Sequence, residues 1–199
     1  TLMKEATHIT EQVSGYYFKD LTMKYVDHLV KAMEFLAEDQ NVIFLGQSVT
    51  YSGNSIFNTL KTIPNNRKIE TPVFEETQMG MSTGLALEGF IPVTCYPRFD
   101  FLLCAVNQLV NHLDKMEEMT RGSFQPRVIV RTSIGAKVPL NGGVQHTQDH
   151  TKAFENLLQF MDVVKLEHKD QIMPAYEHAL LRKDKKSTLI IEYGEYYNQ

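Results

Sequence analysis

The sequence predicts an α/β protein, a three-layer, doubly wound parallel sheet with helices on both faces, and three observations support that prediction. Short apolar runs alternate with amphipathic stretches along most of the chain, the pattern of strand–helix–strand units. Runs such as Val42-Ile43-Phe44-Leu45 are apolar at successive positions, as a strand buried on both faces requires. With 199 residues, 43% of them hydrophobic and 22% charged, the chain has the size and composition of one globular domain. Such a domain buries about 70% of the surface its unfolded chain exposes and needs neither disulfides nor a structural metal.

Residues 22–39 carry Met23, Val26, Leu29, Val30, Met33, Phe35, Leu36 and Ala37 at helical spacing, with Asp27, Lys31, Glu34 and Glu38 left for solvent. Residues 41–46 read as a buried strand ended by Gly46. A short helix is expected near residues 54–60, then a turn at Pro64-Asn65-Asn66 and a second extended segment over residues 68–74. A helix over 76–88, a strand over 91–96 and a longer helix over 99–119 follow. Pro126 introduces a strand over 127–132, and a glycine-rich loop over 134–146 leads to a helix over 151–160. A strand over 162–166, a helix over 172–181 and a strand over 188–193 complete the alternation. Sheets of this kind bind ligands outside the carboxyl ends of their strands.

Composition removes several function classes. Twenty Lys and Arg stand against 24 Asp and Glu, a net charge of −4, so there is no basic footprint for nucleic acid. The longest apolar runs, such as residues 42–45 and 189–191, fall far below the roughly 18–20 residues of a membrane span. Cys95 and Cys104 lack a CxxC spacing, and a reducing, cytoplasmic setting is the expectation. The segment after the first strand, Gly46-Gln47-Ser48-Val49-Thr50-Tyr51-Ser52-Gly53, is neither a dinucleotide fingerprint nor a G-x-S-x-G elbow. His146 and His150 stand four apart without an H-E-x-x-H partner, so metal is not assigned to them.

One segment carries chemistry. Thr71-Pro72-Val73-Phe74-Glu75-Glu76 places acids where a strand gives way to a helix, and Gly80 and Gly84 follow on one helix face. Each mid-helix glycine costs about 1 kcal/mol relative to alanine, so something is expected to approach that face closely. The acids alone are also explained by the preference of helix amino-termini for negative charge.

The pattern T-P-x-x-E with glycines five and nine positions on, Glu75, Gly80 and Gly84 here, resembles the pyrimidine-binding domain of thiamine diphosphate enzymes. It is most similar to the beta subunit of the 2-oxo acid dehydrogenase first component, and more distantly to transketolase. The likeness continues through Tyr96-Pro97-Arg98-Phe99-Asp100-Phe101, Asn107-Gln108-Leu109-Val110-Asn111, Arg131-Thr132-Ser133-Ile134-Gly135-Ala136 and Gln145-His146-Thr147-Gln148. It implies the thiamine diphosphate-binding fold of the pyrimidine-binding type over residues 22–199, after an N-terminal extension of residues 1–21.

In such enzymes the family glutamate, matched by Glu75, hydrogen-bonds the cofactor's aminopyrimidine and favours the tautomer that deprotonates the thiazolium carbon, which then attacks a 2-oxo acid or ketose carbonyl. Val73, Phe74, Met79 and Leu85 are the apolar neighbours expected to bury Glu75, and Glu76, one residue off the spacing, is the competing candidate. Tyr96, Phe99 and Phe101 match positions that contact the pyrimidine, Phe101 best at the stacking position, with core packing as the alternative for the first two. His146 matches a histidine facing substrate, with a plain surface histidine as the alternative, and Gln47 stands at a cofactor-side position where the family usually has an acid. A glutamine there cannot relay a proton between paired sites.

The resemblance also implies a partner. The family holds the diphosphate through Mg2+ and a G-D-G motif, which does not occur in these 199 residues. The expectation is a heterotetramer with a separate, alpha-type diphosphate-binding subunit that carries the motif and the Mg2+. No carboxyl-terminal transketolase domain is expected, which disfavours lipoyl-linked oxidation. A non-catalytic assembly subunit of the same fold is the alternative.

Overall fold

The computed structural model describes residues 22–198 except 53 and 139; the expected N-terminal extension lies outside them. Helix α1 (Tyr25–Glu38) leads to strand β1 (Val42–Gly46), and the short helix α2 (Ser55–Thr59) to strand β2 (Lys68–Glu70). Helix α3 (Glu75–Leu87), strand β3 (Ile91–Tyr96), helix α4 (Phe99–Leu102), helix α5 (Met116–Met119) and strand β4 (Ile129–Ile134) follow. Helix α6 (Thr151–Leu157), strand β5 (Asp162–Lys165), helix α7 (Ile172–Leu181) and strand β6 (Thr188–Tyr193) end the pattern. The six strands form one parallel sheet in the order β2-β1-β3-β4-β6-β5, the doubly wound architecture the sequence predicts.

The central strands are apolar on both faces because each face has its own core. Val93 and Cys95 of β3, Ile129 of β4 and Ile190 of β6 join Leu29, Met33, Leu36, Tyr176 and Ala179 from α1 and α7. Their sequence neighbours Tyr96, Val130, Leu189 and Ile191 turn the other way, against Leu102, Leu109 and Phe154. Alternate side chains of a strand point to opposite faces, so two apolar layers require unbroken apolar runs. Among the described residues, no helix is long and apolar enough to cross a membrane.

Several elements depart from the sequence expectation. The extended segment 68–74 pairs only through Glu70, with one further bond from the Thr71 amide to the Gly46 carbonyl at 3.0 Å; Pro72 has no amide to continue a ladder. The expected helix 99–119 breaks into α4, a 3-10 turn at Leu103–Ala105, a π-helical stretch at Asn107–Leu113 and α5. Strand β4 begins at Ile129 because Ser187 Oγ accepts from the Val128 amide at 3.0 Å and donates to the Pro126 carbonyl at 2.8 Å. These side-chain bonds take the place of ladder bonds.

The helix expected over 151–160 stops at Leu157 because Asp114 captures the next amides. The carboxylate of Asp114, which is 2% exposed, accepts from the amides of Gln159 at 3.1 Å, Phe160 at 2.9 Å and Met161 at 3.0 Å, and pairs with Lys115. Burial pulls its pKa up, but Lys115 and the three amides outweigh that and leave it below the ordinary carboxylate value. A folded-state pKa below the unfolded value of about 3.9 gives stability that is present above that value and lost as pH falls through the folded one. Asp114→Asn is expected to lower unfolding stability at pH 7 by about 1–3 kcal/mol. In urea melts the gap to wild type should close below about pH 4; equal midpoints at pH 7 would remove the capping role.

Candidate active site

The carboxyl ends of five strands meet at one edge of the sheet. They supply Gln47 after β1, residues 71–75 after β2, residues 97–101 after β3, residues 135–138 and 140–146 after β4 and Gly194 after β6. Strand β1 lies between β2 and β3, so the order in which strands are added reverses there, and open α/β sheets bind ligands at such a point. Gly46 makes the close approach possible: at φ +151°, a Cβ on it would lie 2.4 Å from the Cys95 carbonyl oxygen. The loop beyond is tied down by Glu70, whose carboxylate accepts from the amides of Val49 and Thr50, each at 2.8 Å, from Thr50 Oγ1 at 2.9 Å, and from the Ser48 amide. Asn54 Nδ2 donates to the Gln47 carbonyl at 3.3 Å. Gln47 is thereby fixed at the site edge, half-buried.

Glu75 and Glu76, adjacent in sequence, differ in commitment. Glu76 is exposed, and its Oε1 accepts from Asn107 Nδ2 at 3.1 Å. Glu75 is half-buried in the first turn of α3, and its carboxylate has no hydrogen-bond or ion-pair partner among the described residues. Its carbonyl accepts from Tyr96 Oη at 3.1 Å, which pins the start of the helix to β3. Burial holds the Tyr96 hydroxyl well above the ordinary phenol range, so it remains a donor. Of the apolar neighbours expected to enclose Glu75, Met79 is buried, Phe74 and Leu85 are half-buried, and Val73 is 66% exposed. Within this chain the enclosure is incomplete.

The three aromatic candidates separate in the same way. Tyr96 and Phe99 are 0% exposed; the Phe99 ring packs on Phe154 at 5.2 Å and meets the edge of His150 at 5.5 Å. Both rings are enclosed in the core of this chain, as the core-packing alternative expects, and Tyr96 bears on the site through its bond to the Glu75 carbonyl. Phe101 is half-buried, and its ring meets the His146 imidazole edge to face at 5.5 Å and 88°. Two candidates from separate segments thus form one wall. His146 Nδ1 is a buried nitrogen without a hydrogen-bond partner.

Other side chains that shape the site carry weaker sequence signals. Asp100, a lone acid between two phenylalanines in α4, is 8% exposed and accepts from Gln148 Nε2 at 2.7 Å, which ties the loop bearing His146 to α4. Arg98 Nη1 donates to the His146 carbonyl at 3.4 Å. A Cβ at Gly135 would fall 1.7 Å from that carbonyl oxygen, so only glycine lets the loop close there. The helix face expected to meet a close neighbour is open only at Gly84, which has nothing within 4 Å; at Gly80 a Cβ would lie 3.7 Å from Gln108 Oε1, an ordinary packing contact. Among the described residues, no three His, Cys, Asp or Glu side chains gather as a metal-ligand set.

Residues 23–198 match the family described as "Transketolase, pyrimidine binding domain". The 3-methyl-2-oxobutanoate dehydrogenase subunit beta of Mycobacterium tuberculosis is 31% identical over 125 residues, 61% of this chain and 34% of that protein. The mitochondrial pyruvate dehydrogenase E1 component subunit beta of Saccharomyces cerevisiae is 31% identical over 132 residues, covering 64% and 36%. The 2-oxoisovalerate dehydrogenase subunit beta of Bacillus subtilis is 28% identical over 138 residues, covering 67% and 42%. The match therefore spans less than half the length of these relatives. A solved structure described as "Split gene transketolase, inactive beta4 tetramer" superposes with a TM-score of 0.56 at 19% identity, over 85% of this chain and 49% of that one, a likeness of fold.

Proposed function

The chain belongs to the transketolase pyrimidine-binding domain family, and on that premise we propose that it is the pyrimidine-binding subunit of a two-chain thiamine diphosphate-dependent enzyme of transketolase or 2-oxo acid dehydrogenase type. The observation that carries this reading is the carboxylate of Glu75, half-buried and without a partner beside an engaged Glu76. An acid held in place through its own carbonyl, with both oxygens uncommitted, is suited to hydrogen-bond an external ring nitrogen.

The residues present fit the aminopyrimidine half of the cofactor. Glu75 supplies the carboxyl that shares a proton with a ring nitrogen, Phe101 an aromatic surface for stacking, worth about 0.5–1.5 kcal/mol beyond area burial, and Gln47 an amide at the edge. When bound, thiamine diphosphate supplies a nucleophilic thiazolium carbon for a 2-oxo acid or ketose carbonyl. In this reading His146, whose ring packs against Phe101, orients the substrate and exchanges protons with it.

The diphosphate and Mg2+ are assigned to a separate alpha-type subunit bearing G-D-G, in a heterotetramer. Two features support a partner here: the uncovered side of Glu75, where Val73 is 66% exposed, and the open surface of α3 at Gly84. Purified with a G-D-G-bearing partner, Mg2+ and thiamine diphosphate, the chain is expected to promote hydrogen–deuterium exchange at the thiazolium carbon, followed by proton NMR. Exchange by the partner alone at the same rate would leave this chain an assembly subunit.

A further inference from the structure

A cleft of about 310 Å³ opens at the same edge of the sheet, lined among others by Asn54, Ser55 and Asn58 around α2, by Arg98 after β3 and by Ser133 near the end of β4. Arg98 is the only charged side chain among the described residues lining it. Arg98 is half-buried as a residue, and its guanidinium has the single long bond to the His146 carbonyl and no carboxylate within ion-pair distance among the described residues. Guanidinium groups taken partly out of water are ordinarily paired. This one has unused N–H donors in a planar fork, facing a cleft of hydroxyls and carboxamides.

The surrounding backbone leaves it room. A Cβ at Gly135 would fall 2.8 Å from Arg98 Nη1, and one at Gly142 would fall 3.7 Å from it. Both glycines belong to the loop that ends at His146, so space for the guanidinium and placement of the imidazole are set together. Such a fork matches the two oxygens of a carboxylate or phosphate.

We propose that the Arg98 cleft receives an anionic group of the substrate, a carboxylate or a phosphate, with Ser55 and Asn58 as additional donors, and holds it beside His146. The proposal rests on the reading above for the identity of the ligand as substrate. It makes Arg98 a specificity residue, selecting substrates that carry such a group.

The test is calorimetric titration of the assembled enzyme with inorganic phosphate and, separately, malonate, at constant ionic strength. Saturable binding of either probe is expected, and the one preferred identifies the anion. Arg98→Met should weaken it at least about tenfold, with Arg98→Lys intermediate, since a point charge cannot form the two parallel bonds. Asn58→Asp, an exposed change that adds a repelling charge at the rim, should weaken it as well and decides the matter if Arg98→Met does not fold. No binding of either probe, or binding unchanged by these substitutions, overturns the proposal. Thiazolium proton exchange in the wild-type enzyme is scored independently: anion binding through Arg98 without exchange removes the thiamine reading and leaves the anion site standing.

Discussion

Glu75→Gln in the assembled enzyme is expected to slow thiazolium proton exchange by about 10²–10⁴-fold, the range that a positioned acid–base group contributes. The amide has the shape of the carboxyl and can still hydrogen-bond a ring nitrogen, but it cannot pass a proton. The loss should therefore appear in the exchange rate more than in cofactor affinity. Glu76→Gln is the matched control, because that side chain is exposed and spends Oε1 on Asn107; exchange should stay within about twofold, as for a surface substitution. Both rates can be read by quenched-flow exchange and proton NMR. Exchange lost in Glu76→Gln and kept in Glu75→Gln would transfer the role by one residue.

That one-residue choice marks where sequence pattern stops and geometry begins. The parallel sheet is legible because two cores impose unbroken apolar runs on the central strands, and Val93 and Cys95 face one core while Tyr96 faces the other. Element ends are less legible, because they are set by distant side chains. Asp114 stops the helix before residue 159, and Ser187 delays β4. The aromatic run 96–101 shows the limit for the site: Tyr96, Phe99 and Phe101 are chemically alike, yet two are enclosed and one faces outward. Residue type does not encode that difference. Nor does it reveal that Arg98 and Phe101 meet His146, more than 40 positions away, because the loop from Gly135 must first fold back.

The largest effect on stability is expected at Arg131, a fully buried guanidinium in the layer under α1 and α7. Its Nε and Nη2 reach the two carboxylate oxygens of Glu192 at 2.7 and 3.0 Å, and Nη1 donates to Thr59 Oγ1 at 2.8 Å. Tyr176 and Tyr197 direct their hydroxyls to the same carboxylate, and both charged side chains are 0% exposed. Burial works against the charge on Arg131, but Glu192 outweighs it and holds the guanidinium pKa well above its ordinary value. Arg131→Met would leave Glu192 buried with only neutral donors, and breaking such a pair is expected to destabilise the fold by about 3–5 kcal/mol. Adding Glu192→Gln should recover much of that loss, because the amide still meets the tyrosine hydroxyls and no charge remains unpaired. Urea midpoints of the two single variants and the double variant separate these contributions; a double variant as unstable as the sum of the singles would show that the pair does not act as a unit. Ser133 lies opposite Glu192 in the β4–β6 register, and Gly194 follows two residues later. A pair that joins those two strands therefore also sets the floor of the cleft from which Arg98 faces its ligand.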